Sequence, residues 1–271
     1  MKKVITILAV VVIAVVGWLW YKNNQGGATG GNKIVIATEG AYAPFNYVAA
    51  DGSLQGFDVD IAKAVCAKMN AECEIIKQDW DGMIPGLQAK KFDAIVASMS
   101  ITEERKQKID FSDKYYNTAA ILVAKEGTSI KIDSATGNPD PASLSGMKIG
   151  VQRSTTHENF ARAKFAGAEI VVYDTADNRN LDLVNGRLDA ALDDSVVLGD
   201  EIVKKNPGFA FVGKGYYDPE FFGIGAGIGV RKEDTQLRDA FSKAIKDIRE
   251  DGTYKTINDK YFGFDVYGPA S

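Results

Sequence analysis

Leu87-Gln-Ala-Lys-Lys-Phe-Asp93-Ala-Ile-Val-Ala-Ser98 and Leu183-Val-Asn-Gly-Arg-Leu-Asp189-Ala-Ala-Leu-Asp-Asp194 align without gaps. Each runs from the end of an amphipathic segment through a short polar turn into an apolar run opened by an aspartate, the order helix, turn, strand. A unit that occurs twice predicts two α/β lobes, with Ser98 and Asp194 at equivalent strand ends. In open α/β sheets ligands lie beyond the carboxyl ends of the strands, so these two residues are expected to face one cleft from opposite lobes.

The flanking sequence extends the pattern. KIVIAT, FDVDIAKAVCAKM, CEII and a helix over 84–90 precede the first copy, and MKIGV, HENFARAKF, EIVVY and NRNLDLVNG surround the second. Short β-branched runs alternating with amphipathic segments predict mostly parallel sheets flanked by helices. Tyr115–Ala124 and Phe221–Val230 read as extended segments outside this alternation, suited to two crossings between the lobes. Glycines 223, 225, 227 and 229 repeat with period two rather than as G-x-G-x-x-G, so this segment reads as a strand with one small face or a hinge, not a dinucleotide site.

The chain has 271 residues, 45% hydrophobic and 25% charged, a balance that fits a folded protein of one or two domains. The first 31 residues carry Lys2, Lys3 and Lys22 and no acid, which leaves 29 basic against 36 acidic side chains, a net of −7, for the rest. No basic excess is left to neutralise nucleic-acid phosphates. One histidine and two cysteines are too few for a structural zinc site of four such ligands, and no cofactor is called for.

Lys2 and Lys3 precede an uncharged apolar run from Val4 to Tyr21, as in an export signal. Its length falls between a signal core of roughly 7–15 residues and the ~20 of a membrane span. Gly26-Gly27-Ala28 would suit cleavage, whereas Trp18, Trp20 and Tyr21 beside Lys22 would suit a retained anchor. Both readings export the body of the protein. Asn23–Asn32 is a flexible tether by composition, and the fold is expected to begin near Lys33. In an oxidising compartment Cys66 and Cys73 are either a short local disulfide or two buried thiols.

Several residues have the chemistry to hold a zwitterion. Ser100-Ile-Thr-Glu103 and Thr155-Thr-His-Glu158 each follow a strand with a capping-box pattern, and free N–H groups at such helix starts attract anions. Arg105, one turn into the first helix, offers a bidentate partner for a carboxylate. Asp194 can accept from an ammonium group. Glu39 and Tyr42 leave the first strand together, and with Trp80, just before a helix start at Asp81, they supply a carboxylate and ring faces for a cation. Taken singly, each is also explained by capping, core packing or solvation.

These positions resemble the extracytoplasmic solute-binding proteins of ABC importers for polar amino acids, above all the lysine/arginine/ornithine-, histidine-, arginine- and octopine-binding group. The resemblance runs from about Lys33 to Tyr267 through ATEGAYAPF, GFDVDIAKAVC, WDGMIPGL, DAIVASMSITEER, DFSDKYY, GVQRSTTHENF, GRLDAALDD, GVRKEDTQL and DGTYKTINDKYF. It implies a two-lobed periplasmic-binding-protein fold of type II, an α/β architecture with two hinge crossings. Lobe 1 would comprise residues 32–118 and 219–271 and lobe 2 residues 119–218, behind a signal or anchor with its Gly-rich tether at 1–31. It also implies a Cys66–Cys73 disulfide. By position, Arg105 and the backbone at Thr156 would bind an α-carboxylate, and Ser100 and Asp194 an α-amino group. Glu39, Tyr42 and Trp80 would hold the side chain, with Ala97, Ser98, Met99, Gln152, Thr155 and His157 completing the ligand-binding set.

The implied function is binding of a cationic L-amino acid and delivery to a membrane permease by a monomer that closes on its ligand. Against relatives, Glu39 stands where some have aspartate, Ala97 where basic-amino-acid binders have serine, and Trp80 where several have phenylalanine. This ranks arginine first, then lysine or ornithine, histidine and opines. Glutamine is disfavoured because Glu39 would be left unpaired in a desolvated cleft. A dehydratase on the same scaffold would need a general acid, for which only His157 and Glu158 are candidates. A sensory receptor anchored by its N-terminus would need a cytoplasmic domain, and none is seen.

Overall fold

The computed structural model describes residues 33–268; the export-signal and tether readings at 1–31 lie outside the described residues. Thirteen strands follow in chain order: β1 Ile34–Thr38, β2 Ala41–Tyr42, β3 Asn46–Val48, β4 Leu54–Gln55, β5 Cys73–Lys77, β6 Ala94–Ile95, β7 Asp110–Tyr116, β8 Ala120–Lys125, β9 Lys148–Gln152, β10 Glu169–Tyr173, β11 Ala190–Asp194, β12 Phe209–Tyr216 and β13 Ala226–Val230. Ten of them build two five-stranded sheets, in the orders β5-β1-β6-β13-β7 and β10-β9-β11-β8-β12, while β2, β3 and β4 form a small sheet that carries Tyr42.

The two large sheets match position for position. In each, the first three strands are parallel and the fourth is antiparallel to both neighbours. The fourth strand arrives from the other sheet's edge strand: β7 leads into β8 and β12 leads into β13. The chain therefore changes sheets twice, between Tyr116 and Ala120 and between Tyr216 and Ala226.

The repeated sequence has a repeated physical role. Asp93 pairs with the backbone of Val35, its amide donating to the Val35 carbonyl (2.7 Å) and its carboxylate accepting from the Val35 N–H (3.0 Å). Asp189 does the same with Lys148 (2.9 and 2.7 Å). Each aspartate thus sets the register of its strand, β6 or β11, against the neighbouring parallel strand, β1 or β9. Helices cover the sheets with apolar stripes. In Thr235–Glu250 the buried side chains are Phe241, Ala244, Ile245 and Ile248, a helical repeat. The Phe57–Lys68 helix starts at Gly56, whose φ of 122° and closeness to the Phe45 carbonyl, 2.3 Å from where a Cβ would stand, admit only glycine. Cys66 near the end of this helix is disulfide-bonded to Cys73 at the start of β5.

Some boundaries differ from the sequence reading. Phe221 and Phe222 are not extended but end a short helix, Pro219–Phe222, because Asp218 caps it and Pro219 occupies its first turn. The helix expected over 84–90 is Met83–Gln88, preceded by a 3₁₀ turn, Trp80–Gly82, so Trp80 sits inside the turn rather than before it. Ser100 does not cap the helix that follows. Thr102 does, accepting from the Arg105 N–H, and the helix is only Glu103–Lys106, because Ser100 is held in a bridge to Ala226.

Asp93 and Asp189 are expected to differ in weight although their backbone roles match. Asp93 also pairs with the largely buried Arg231 (2.9 Å). Asp93→Ala should cost about 1–3 kcal/mol in urea unfolding and Asp189→Ala about 0.5–1.5 kcal/mol.

Candidate functional site

Where the ends of β1, β6, β9 and β11 converge, a narrow cavity is lined by Glu39, Tyr42, Trp80, Ala97, Ser98, Ser100, Arg105, Gln152, Thr155, Thr156 and His157. A second cavity, sharing Tyr42, Ser98, Ser100, Thr156 and His157, continues to Thr118 and Asp194. Of the thirteen ligand-binding positions read from the sequence, twelve line one or both. Met99 does not: its side chain is packed in the core with Ala37, Met83 and Ile95, and its carbonyl accepts from Gly227.

Arg105 is buried, with its guanidinium 5.2 Å from the Trp80 ring centre and one nitrogen donating to the Ser100 carbonyl (3.1 Å). Among the described residues no carboxylate pairs with it. Burial lowers its pKa to about 10, still far above neutrality, so a full positive charge faces the cavity. Trp80, assigned above to a bound cation, thus already has Arg105 over its ring, and its indole N–H donates to the Ser154 carbonyl (3.2 Å).

At the other side Glu39 is buried, its Oε1 accepting from the Gln152 carboxamide (2.6 Å). Burial pushes the Glu39 carboxyl up to about 7; the Gln152 hydrogen bond works against this and the nearby Asp193 charge adds to it. Asp194 is pushed to about 7 by the same cause, although the Thr118 hydroxyl and the Val196 N–H donate to it. It caps the turn Ser195–Leu198, as the capping reading has it, and also lines the second cavity.

Ser98 lies in the left-handed backbone region (φ 56°), held by its N–H on the Tyr115 hydroxyl and by its own hydroxyl on Asp58 (2.9 Å). Thr155 caps Thr156–Lys164 by accepting from the Glu158 N–H, which leaves the first backbone N–H groups of that helix at the cavity. Glu158 turns outward, to the Ser154 N–H and Arg162.

Asp193 was not singled out from the sequence, yet it is the hub of the site's wall. It is 1% exposed and accepts from the Tyr42 hydroxyl (2.6 Å) and from buried Arg179, with His157 Nδ1 3.3 Å away. Burial works to raise the Asp193 pKa, but Arg179 and His157 outweigh it and hold it below its ordinary value. Burial lowers that of His157. Arg179 packs over Gly150, where a Cβ would lie 2.8 Å from its Cγ. An arginine fourteen positions before an aspartate is no local signal; only the fold brings them together.

A model of the bacterial extracellular solute-binding proteins, family 3, matches residues 34–264. The chain is 48% identical to the L-arginine-binding protein of Pseudomonas aeruginosa, covering 86% of this chain and 89% of that one. It is 44% identical to the histidine-binding periplasmic protein of Salmonella typhimurium, covering 87% and 90%. It is 41% identical to the lysine/arginine/ornithine-binding periplasmic protein of Escherichia coli, covering 86% and 88%. Among solved structures, a Salmonella typhimurium periplasmic binding protein of high arginine specificity matches with TM-score 0.77 at 34% identity, covering 86% of this chain and all of that one. An ancestral arginine-binding protein bound to arginine matches at 0.76 and 37%, covering 86% and 99%.

Asp193→Ala would leave Arg179 buried and unpaired. It should cost about 3–5 kcal/mol in chemical denaturation, whereas Arg179→Met with Asp193→Leu should recover most of it.

Proposed function

The chain belongs to the bacterial extracellular solute-binding proteins, family 3, and from that premise we propose that it binds a cationic L-amino acid, arginine first, then lysine, ornithine or histidine, and delivers it to the permease of an ABC importer. The observation that carries this is one narrow cavity faced by two opposite buried charges, the Arg105 guanidinium and the Glu39 carboxylate. A ligand with a carboxylate at one end and a cation at the other matches both, and each match recovers charge pairing that burial has made costly to forgo.

In this reading Arg105 and the Thr156 N–H receive the α-carboxylate, and Ser100 and Asp194 the α-amino group. Tyr42 and Trp80 flank the side chain and Glu39 pairs with its end. Residues 32–118 with 219–271, and 119–218, act as two lobes that close over the ligand, which stabilises the closed form by its greater affinity for it. The similarity to arginine-, histidine- and lysine/arginine/ornithine-binding proteins supports the ligand class. The protein works outside the cytoplasm as a monomer, exported by its N-terminal segment. That segment is either removed or kept as an anchor; among the described residues no helix is long and apolar enough to cross a membrane.

A precursor of cyclohexadienyl dehydratase, the ancestral amino acid-binding protein AncCDT-1, is a more distant neighbour (30% identity, TM-score 0.73). Of the two candidate general acids here, Glu158 points away from the cavity and His157 sits against Asp193, so binding rather than catalysis is favoured.

Calorimetry and thermal shift with the twenty amino acids test the proposal. Arginine at 1,000 times its Kd should add about 4.1 kcal/mol of stability, and no response to any cationic amino acid would sink the reading. Arg105→Ala should weaken all amino-acid ligands alike, by about 10²-fold or more, while Glu39→Gln should weaken cationic ligands selectively.

Proton release gives a separate check. The pKa of Glu39 is higher in the folded chain (about 7) than its ordinary 4.5, so the stability its proton contributes is complete below about pH 4.5 and lost as pH rises to 7. A cation favours the carboxylate and expels that proton. At pH 6, arginine binding measured in buffers of different ionisation enthalpy should release about one proton fewer in Glu39→Gln than in the unaltered protein, the remainder coming from Asp194.

A further inference from the structure

Glu39 is not left alone at its end of the cavity. Gln152, at the last position of β9, reaches across from the other sheet and donates its carboxamide to Glu39 Oε1 at 2.6 Å. The same nitrogen donates to the Asp174 carbonyl at 3.2 Å, which fixes the direction of the amide, and Gln152 is 3% exposed. A carboxylate can accept about four hydrogen bonds. Among the described residues the side-chain donor on Glu39 takes Oε1, which leaves Oε2 for a ligand.

We infer that Gln152 is a specificity-determining residue: it keeps Glu39 hydrogen-bonded whatever the ligand carries, so the site accepts amino acids with neutral N–H-donating side chains, such as citrulline and glutamine, as well as cationic ones. The inference rests on the proposed seating of the ligand side chain at Glu39, and it revises the expectation that glutamine is disfavoured. That expectation assumed a carboxylate stranded by a neutral ligand. Stranding a buried charge corresponds to roughly 10²–10⁴-fold in affinity. With Oε1 paired to Gln152, a neutral ligand only exchanges an ion-paired hydrogen bond at Oε2 for one in which the acceptor alone is charged, a loss of about 10–30-fold. An ancestral arginine-binding protein that matches this chain at 36% identity with TM-score 0.76 has been seen bound to glutamine, which shows that the shared fold admits such a ligand.

Citrulline is the sharpest probe, because it replaces the guanidinium of arginine by a urea of nearly the same shape. Titration calorimetry on the exported form of the protein should give an arginine-over-citrulline preference below about 30-fold. In Gln152→Leu, which keeps the volume and removes the donor, the preference should widen at least 10-fold, through loss of citrulline affinity. Gln152→Glu should also widen it, by placing a second acid beside Glu39 and favouring the cation. A preference above 10³-fold in the unaltered protein, or an unchanged ratio in both variants, would overturn the inference. Absence of arginine binding to the unaltered protein would instead sink the proposed function. Unfolding curves identify a variant that fails to fold, and the other variant then decides.

Discussion

Two opposite charges held out of water on the walls of one narrow cavity set the terms for the rest of this structure. Neither Arg105 nor Glu39 could be buried cheaply by itself. Arg105 is sustained by the Trp80 ring and the Ser100 carbonyl, and Glu39 by the Gln152 amide. The supports come from both sheets, so the cavity is built by the way the two sheets meet rather than by either one.

The duplicated topology explains how such a site arises. Each sheet presents the carboxyl ends of its parallel strands to the other, and each receives its antiparallel strand from the other. Connections at Asn117–Ala119 and at 217–225 carry the chain between the two sheets. The cross-sheet bonds near the cavity, Tyr42 to Asp193, Trp80 to the Ser154 carbonyl and Gln152 to Glu39, come from residues at or just beyond strand ends. These contacts span the two sheets, so under the proposed function a ligand on Arg105 and Glu39 would bind at the interface that the protein's own bonds close.

Much of this was legible in the chain. The gapless match around Asp93 and Asp189 pointed to the two matching sheets because a register-setting aspartate opens a strand in each. Most of the cavity was legible because its residues cluster at strand-to-helix transitions, where turn and capping chemistry marks the sequence. What could not be read was long-range pairing. Arg179 and Asp193 form a buried ion pair that neither position announces, and Asp58 orders Ser98 from forty residues away. Local choices between equivalent signals were also hidden. Ser100 and Thr102 are both good caps, and the bridge from Ser100 to Ala226, formed only in the folded sheet, decides for Thr102. Met99 follows the alternation of an extended segment and turns into the core.

The central claim is that Glu39 receives the positive end of the ligand while Arg105 receives its carboxylate. A crystal structure with arginine bound tests it most directly. The account predicts a guanidinium nitrogen about 2.7–2.9 Å from Glu39 Oε2, with the ligand carboxylate on Arg105. A ligand lying in the reverse direction, or one whose guanidinium leaves Glu39 bonded to Gln152 alone, would contradict it.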